Sequence, residues 1–254
     1  MISVSIVSHG QGALVRDLLA DLDAHCADTV EVVLTVNVPE SLPFDPAGFR
    51  FPVRVLNNCE AKGFGANHNA AFRTSQADLF CVLNPDIRLR ADPFGELAER
   101  LRDPAVGVAA PLVRSPAGGI EDSARRVPTP VSILRKALLG RRGPDYAIGT
   151  ADLHPDWVAG MFMLLRRETF AAVGGFDERY FLYYEDVDLC LRLAWAGLRV
   201  VYCPAVEAIH DARRESHRSL RHLRFHLASM LKFFCSAPFW RHRMRRKSPR
   251  DERP

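Results

Sequence analysis

The order of apolar runs at the start of the chain constrains its fold most. Ile2-Ser3-Val4-Ser5-Ile6-Val7 alternates with a period of two, as a strand does. A turn, Ser8-His9-Gly10-Gln11-Gly12, follows, and then Leu14, Val15, Leu18, Leu19 and Leu22 recur at helical spacing. Val30 to Val38 is rich in β-branched residues, and Val53 to Leu56 is a third short strand beyond a proline-bearing loop. Strand, helix, strand, loop, strand is the order of a parallel α/β sheet. Such sheets bind ligands outside the carboxyl ends of their strands, near a switch in strand order.

The pattern continues. Leu79 to Leu83, Val106 to Leu112, Trp157 to Leu165 and Leu198 to Tyr202 read as strands. Asp92 to Leu101 and Arg167 to Val173 read as helices, and another helix starts near Val187. Ser115 to Asp156 is rich in Pro, Gly and Arg and reads as a long, partly mobile excursion with a helical patch at Ile133 to Leu139. Connections of that length are functional or disordered. At 254 residues, with 48% hydrophobic and 25% charged side chains, the chain suits one large domain, with or without an appendage. No apolar run approaches the ~18 residues of a membrane-crossing helix. Met1 leads straight into the first strand with no basic segment, so no secretory leader is expected. Six scattered cysteines without a Cys-x-x-Cys pair point to reduced, mostly buried thiols and a cytoplasmic protein.

The net charge of +4 is unevenly spread. Residues 211–254 carry 13 Lys+Arg against 4 Asp+Glu, leaving 21 against 26 for residues 1–210. A catalytic domain at 1–215 and a basic amphipathic helix and tail at 216–254 are the expected division. In the tail, Leu220, Leu223, Leu227, Met230, Leu231 and Phe234 share a helical spacing, and Phe239 and Trp240 precede the basic run Arg241 to Lys247. A basic amphipathic helix with aromatics suits a membrane interface, so a peripheral contact with the cytoplasmic face of the membrane is expected. No basic face joins the tail to the acidic body, so no nucleic-acid partner is expected.

Three stretches carry chemistry. In Tyr183-Tyr184-Glu185-Asp186-Val187-Asp188, carboxylates follow an aromatic run and enter a helix, whose free N–H groups favour negative charge. An ionised carboxylate on a pocket wall is a candidate base. Asp188 precedes Arg192 by four residues, the spacing of a helical ion pair. Asn84-Pro85-Asp86 sits just past a buried strand, where two oxygen-bearing side chains can serve a hard divalent cation. Gly63-Phe64-Gly65-Ala66-Asn67-His68-Asn69 opens a helix, and its glycines allow close backbone approach or a tight turn. It lacks the third glycine of a dinucleotide fingerprint and the Gly-Lys-Ser/Thr of a P-loop.

Taken in order, Val4 to Ser8, Gly63 to Asn69, Leu83-Asn84-Pro85-Asp86, Trp157 to Met163 and Gly174 to Arg192 resemble the family 2 glycosyltransferases, in particular bacterial rhamnosyltransferase-like members. The resemblance covers roughly residues 2 to 235. It implies a single nucleotide-diphospho-sugar transferase domain of GT-A type, with a central mixed, mostly parallel sheet flanked by helices. It implies an inverting transfer of a sugar, rhamnose being the expected one, to a lipid-linked or saccharide acceptor in surface polysaccharide synthesis. It further implies a divalent cation, Mg²⁺ or Mn²⁺, at Asp86 and His210, and a base at Asp186 with Glu185 as its partner. Donor contacts are expected from Ser8, His9, Asn37, Lys62, Gly63, Gly65, Asn67, Asn69 and Asn84, and acceptor contacts from Trp157, Gly160 and Tyr184. Two departures stand out. Asn84 replaces the usual first acid, and Val36 falls where many members carry an acid at the end of the second strand. A non-catalytic nucleotide-sugar or polysaccharide-binding relative is the alternative that these departures motivate.

Overall fold

The computed structural model describes residues 1–139, 144–211 and 220–247. The boundary expected at residues 215 and 216 lies outside them. In chain order the elements are β1 (Ile2–Ser8), α1 (Gly12–Cys26), β2 (Val30–Val36), β3 (Val53–Asn57), α2 (Phe64–Thr74), β4 (Leu79–Leu83), β5 (Ile87–Arg88), α3 (Phe94–Leu101), β6 (Val106–Arg114), β7 (Ala124–Arg125), α4 (Pro130–Leu139), β8 (Trp157–Val158), β9 (Phe162–Arg166), α5 (Arg167–Ala172), α6 (Glu185–Trp195), β10 (Arg199–His210), α7 (Leu220–Phe234) and α8 (Ala237–Lys247).

Eight strands form one sheet in the order β3-β2-β1-β4-β9-β6-β10-β5. β1 pairs in parallel with both β2 and β4, so the chain leaves β1 on one side and later returns on the other. That is the switch in strand order the N-terminal pattern predicts, and it opens a crevice at the carboxyl ends of β1 and β4. β9 runs antiparallel between β4 and β6 and joins the two halves of the sheet. β5 closes the far edge antiparallel to β10, with Ile87 opposite His210. A separate two-stranded piece pairs β7 with β8.

Both faces of the sheet are covered. On one face Val4, Ile6, Val32 and Leu34 share a core with Val15, Leu18, Leu19 and Leu22 of α1, while α3, with Phe94 and Leu97, covers β6, β9 and β10. On the other, Phe80, Val82, Met163 and Leu165 belong to a core that also takes in Phe170 of α5, Val187 and Leu191 of α6, Phe233 of α7 and Phe239 of α8. The alternation of β1 is therefore apolar against small polar, with both faces buried: Ser3 and Ser5 are fully covered. The Ser5 hydroxyl meets His68 Nδ1 of α2 at 2.7 Å. Burial pushes the His68 imidazole down to about 3, so this ring is a neutral core residue.

The structure redraws three expected elements. The run Trp157 to Leu165 is interrupted at Ala159–Met161 and becomes β8 and β9. Unbroken apolarity hides this, because both pieces are buried and only Gly160 marks the bend. β10 continues past Tyr202 to His210, with a register shift between Cys203 and Glu207 that accommodates Pro204. The excursion at 115–156 contains β7 and α4, and α4 extends the expected helical patch back to Pro130. All six cysteines are free; Cys26, Cys81, Cys190 and Cys203 are buried. Among the described residues no helix is long and apolar enough to cross a membrane.

Candidate active site

The candidate base sits on a sharp turn. Tyr183 and Tyr184 have φ of 71° and 70°, the only non-glycine positive values among the described residues. Each left-handed residue of this kind costs about 1–2 kcal/mol. The turn is fixed from several sides. Tyr184 is 9% exposed and its ring lies 5.2 Å from that of Phe233 on α7. The Tyr183 hydroxyl meets His222 Nδ1 at 3.0 Å, and the Ser229 hydroxyl donates to the Leu182 carbonyl at 2.8 Å. Immediately after this turn, Glu185, Asp186 and Asp188 form the first turn of α6.

The three acids have different surroundings. Asp188 is 1% exposed and paired with Arg192 Nε at 2.8 Å, as their spacing predicts. Arg192 also donates to the carbonyls of Val173 and Gly175, so this pair ties α6 to the glycine turn before it. Asp186 is partly exposed; its Oδ2 accepts the Gly160 N–H at 3.1 Å and its Oδ1 the Val187 N–H at 2.8 Å. Burial pushes its pKa up, and the two N–H donors hold it partly down. Glu185 is 4% exposed and its Oε2 has no partner. Burial, reinforced by the charge of Asp186, drives its pKa well above the usual carboxylate range.

The glycine loop packs directly against this segment. A Cβ on Gly63 would stand 2.7 Å from the Phe181 carbonyl oxygen and 2.8 Å from Phe181 Cα. A Cβ on Gly65 would stand 2.6 Å from Phe176 Cβ. The Phe64 N–H donates to the Phe181 carbonyl at 2.8 Å, and Asn69 brackets Phe176, accepting its N–H at 2.9 Å and donating to its carbonyl at 2.8 Å. Both glycines are therefore demanded by close approach to residues 176–181.

Residues at the carboxyl ends of β1 to β4 line the crevice. Asn37 accepts the Lys62 N–H and donates to the Lys62 carbonyl, and it meets His9 Nδ1 at 3.2 Å. Asn58, which sequence reasoning missed, donates to both Asn37 at 2.8 Å and Asn67 at 2.7 Å. Ser8 accepts the Gln11 N–H with its hydroxyl. Glu40 spans the Gly10 and Gly12 N–H groups, so the acid nearest the end of β2 secures the first turn instead. His9 and Lys62 are exposed at the rim, and Asn84 follows β4 with its N–H on the Met161 carbonyl.

The antiparallel pairing of β5 with β10 brings Asp86 and His210 together. Asp86 Oδ2 lies 3.2 Å from His210 Nε2, and Asp86 Oδ1 is buried without a partner. His210 Nδ1 meets Glu121 Oε2 at 2.8 Å. Burial alone would lower the His210 pKa, but the bonds and charges of Asp86 and Glu121 carry it up to about 9. Both ring nitrogens thus face a carboxylate, and among the described residues no group of three or more His, Cys, Asp or Glu side chains is arranged to hold a metal ion. Glu121 is a residue the sequence does not reveal. It reaches the cluster through the reversal at 115–120, where the Glu121 N–H returns to the Val113 carbonyl.

Trp157 on β8 is 8% exposed, its indole N–H donating to the Arg126 carbonyl. The Arg125 guanidinium lies 5.5 Å from the Trp157 ring and is paired with Asp122; its charge lowers the Asp186 pKa. Arg125 was likewise invisible in the sequence, being one arginine among several in an irregular segment.

The sequence profile described as "Glycosyltransferase like family 2" matches residues 2–226. The chain is a family 2 glycosyltransferase. This glycosyltransferase is 31% identical to Rhamnosyltransferase WbbL of Escherichia coli (strain K12), over 92% of its own length and 93% of that protein. It is 32% identical to the N-acetylglucosaminyl-diphospho-decaprenol L-rhamnosyltransferase of Mycobacterium tuberculosis (strain ATCC 25618 / H37Rv), over 95% and 87%. Solved structures share the fold. GalNAc-T7 with UDP, GalNAc and Mn²⁺ superimposes with a TM-score of 0.68 at 16% identity, covering 85% of this chain and 44% of that one. The mannosyltransferase PcManGT of Pyrobaculum calidifontis, with GDP-Man and Mn²⁺, gives 0.62 at 18% identity, covering 91% and 64%. The glycosyltransferase thus spans under half of the first of these chains, and its fold is of the GT-A type.

Proposed function

We propose that this glycosyltransferase moves rhamnose from a nucleoside-diphosphate donor to a lipid-linked or saccharide acceptor in bacterial surface polysaccharide synthesis, with inversion at the sugar carbon. What supports the reading is the partly exposed Asp186 at the start of α6, beside Gly160 and the Phe64 ring of the glycine loop. Each of its oxygens receives one backbone N–H and keeps a lone pair for an acceptor hydroxyl. Burial raises its pKa, which makes it a better proton acceptor than an exposed carboxylate. The acceptor oxygen forms a bond to the anomeric carbon as its proton passes to Asp186, and the bond from that carbon to the diphosphate breaks. Inversion in one displacement needs one base, whereas a glycoside hydrolase uses two carboxylates about the bond. The names of the two rhamnosyltransferase relatives support the sugar, and that of the mycobacterial one supports a lipid-linked acceptor.

Asp86 and His210 would hold a divalent cation, Mg²⁺ or Mn²⁺. When bound, such an ion neutralises charge developing on a diphosphate leaving group. The partnerless Asp86 Oδ1 and the adjacent Nε2 support that use. Asn37, Asn58 and Asn67 hold the Lys62–Gly63 segment against the end of β2, where a nucleotide would lie. In the cell we put the enzyme on the cytoplasmic face of the membrane, in peripheral contact through its C-terminal helices.

A screen of nucleoside-diphosphate sugars with Mn²⁺, read first by thermal shift and then by turnover on lipid-linked and free saccharide acceptors, tests this reading. Stabilisation and turnover with a nucleoside-diphospho-rhamnose are expected. Turnover with another sugar donor alone would replace the substrate assignment. Undiminished turnover after chelation would remove the cation.

A further inference from the structure

Helix α7 has two faces. Phe225 stacks on Phe181 with ring centroids 4.6 Å apart, Ser229 bonds the Leu182 carbonyl, and Phe233 is completely buried. On the opposite side Leu223, Leu227 and Leu231 are 53%, 45% and 64% exposed. At 3.6 residues per turn, positions four apart advance by about 40°, so these three leucines form one stripe. A row of exposed leucines on a helix whose other side is already packed calls for an occupant.

Charge selects the occupant. Residues 216–250 contain ten Lys+Arg and no Asp or Glu. A second copy would set two acid-free basic helices against each other, and like charges repel. Three leucines also fall far short of the roughly 1,200 Å² that a stable protein interface buries. A bilayer carrying anionic lipid meets both demands, accepting apolar side chains at headgroup depth and attracting the surrounding cations. The arginines of α8 are partly committed elsewhere. Arg241 lies 4.4 Å from the Trp195 ring and Arg245 bonds the Ala194 carbonyl, both on the body.

We infer that the outward stripe of α7, Leu223, Leu227 and Leu231, is the surface that docks the protein on an anionic bilayer. The inner face of the same helix holds the turn that carries Glu185 and Asp186, so docking brings the candidate base to the membrane plane where a lipid-borne acceptor lies. The inference deepens the proposed use of such an acceptor and rests on that reading for its purpose. Partitioning is measured without turnover, so the two fail separately.

The test is co-sedimentation of the full chain with vesicles of phosphatidylcholine alone or with phosphatidylglycerol, for the wild type and L223S/L227S/L231S. These positions are exposed, and circular dichroism and the Tm check that the variant folds. The wild type is expected to partition onto the anionic vesicles, less at high salt, and the variant at least tenfold more weakly. Equal partitioning of both proteins, no partitioning of the wild type, or equal binding to neutral vesicles would each overturn the assignment. So would a wild-type dimer, seen by light scattering, that the variant loses, because it would give the stripe to a second copy.

Discussion

Glu121 Oε2 lies 2.8 Å from His210 Nδ1, and Asp86 Oδ2 lies 3.2 Å from the Nε2 of the same ring. The imidazole is held between two carboxylates that approach from different segments, Asp86 just before β5 and Glu121 just after the reversal at 115–120. A ring anchored on one nitrogen presents the other in a fixed direction, which is how histidine ligands are oriented at metal centres.

The first prediction concerns that anchor. Glu121→Gln should weaken Mn²⁺ binding by about 10–100-fold, the usual cost of losing an outer carboxylate. Calorimetric titration of Mn²⁺ into the protein with a nucleoside diphosphate reads it directly. Unchanged affinity would reduce Glu121 to a surface contact.

Asp186→Asn keeps the shape of the side chain and its place at the Gly160 N–H but cannot accept a proton. Turnover should fall by at least about 100-fold, the lower range for a lost general base. The donor KM should stay within a few-fold, because the residues proposed to hold the donor lie on other elements. Steady-state rates at saturating donor decide the matter; full activity in this variant would remove the base from Asp186.

Glu185 gives a pH-dependent stability. Its folded-state pKa is raised far above the ordinary 4.5 by burial first and by Asp186 second. Below about pH 4.5 the group is protonated folded or unfolded, and it costs nothing. As pH rises, the unfolded chain ionises freely while the folded chain must keep the proton or bury a charge, so the stability this neutral carboxyl contributes is lost. Glu185→Gln should therefore melt higher than the wild type near pH 7 and equal to it near pH 4. A Tm difference that is constant across that range would contradict the assignment.

Gly63→Ala and Gly95→Ala should move stability in opposite directions. A Cβ at 63 collides with the backbone of Phe181, so about 1–3 kcal/mol should be lost. Gly95 lies inside α3 with nothing within 4 Å of an added Cβ, so about 0.4–1 kcal/mol should be gained. Urea titration of both variants gives the two signs.

Much of the fold was legible because local pattern and final environment agree. The runs at β1, β2 and β4 read as strands and are strands, and the order of elements announced the switch between β2 and β4. Asp188 and Arg192 are neighbours by helical spacing alone. The meeting of Asp86 with His210 was expected only from the family pattern, since 123 intervening residues leave no local signal. Glu121, Asn58 and Arg125 were not legible for the same reason: each arrives through a loop whose path is set by tertiary pairing. The break at Gly160 was hidden because residues on both sides are apolar and buried, and periodicity cannot tell one buried strand from two. The C-terminal helical spacing was plain, but its inner face could not be matched to the tyrosine turn before the turn itself was known.

The absence of side chains at Gly63 and Gly65 has a practical consequence for anyone redesigning this enzyme. The loop at 58–69 and the stretch at 174–184 interdigitate so closely that neither is a separable module. A loop transplanted at 58–69 from a relative would arrive shaped for that relative's own aromatic turn. Specificity in such a scaffold should be exchanged as a matched pair of segments, 107 residues apart between Asn69 and Phe176 yet packed as one part.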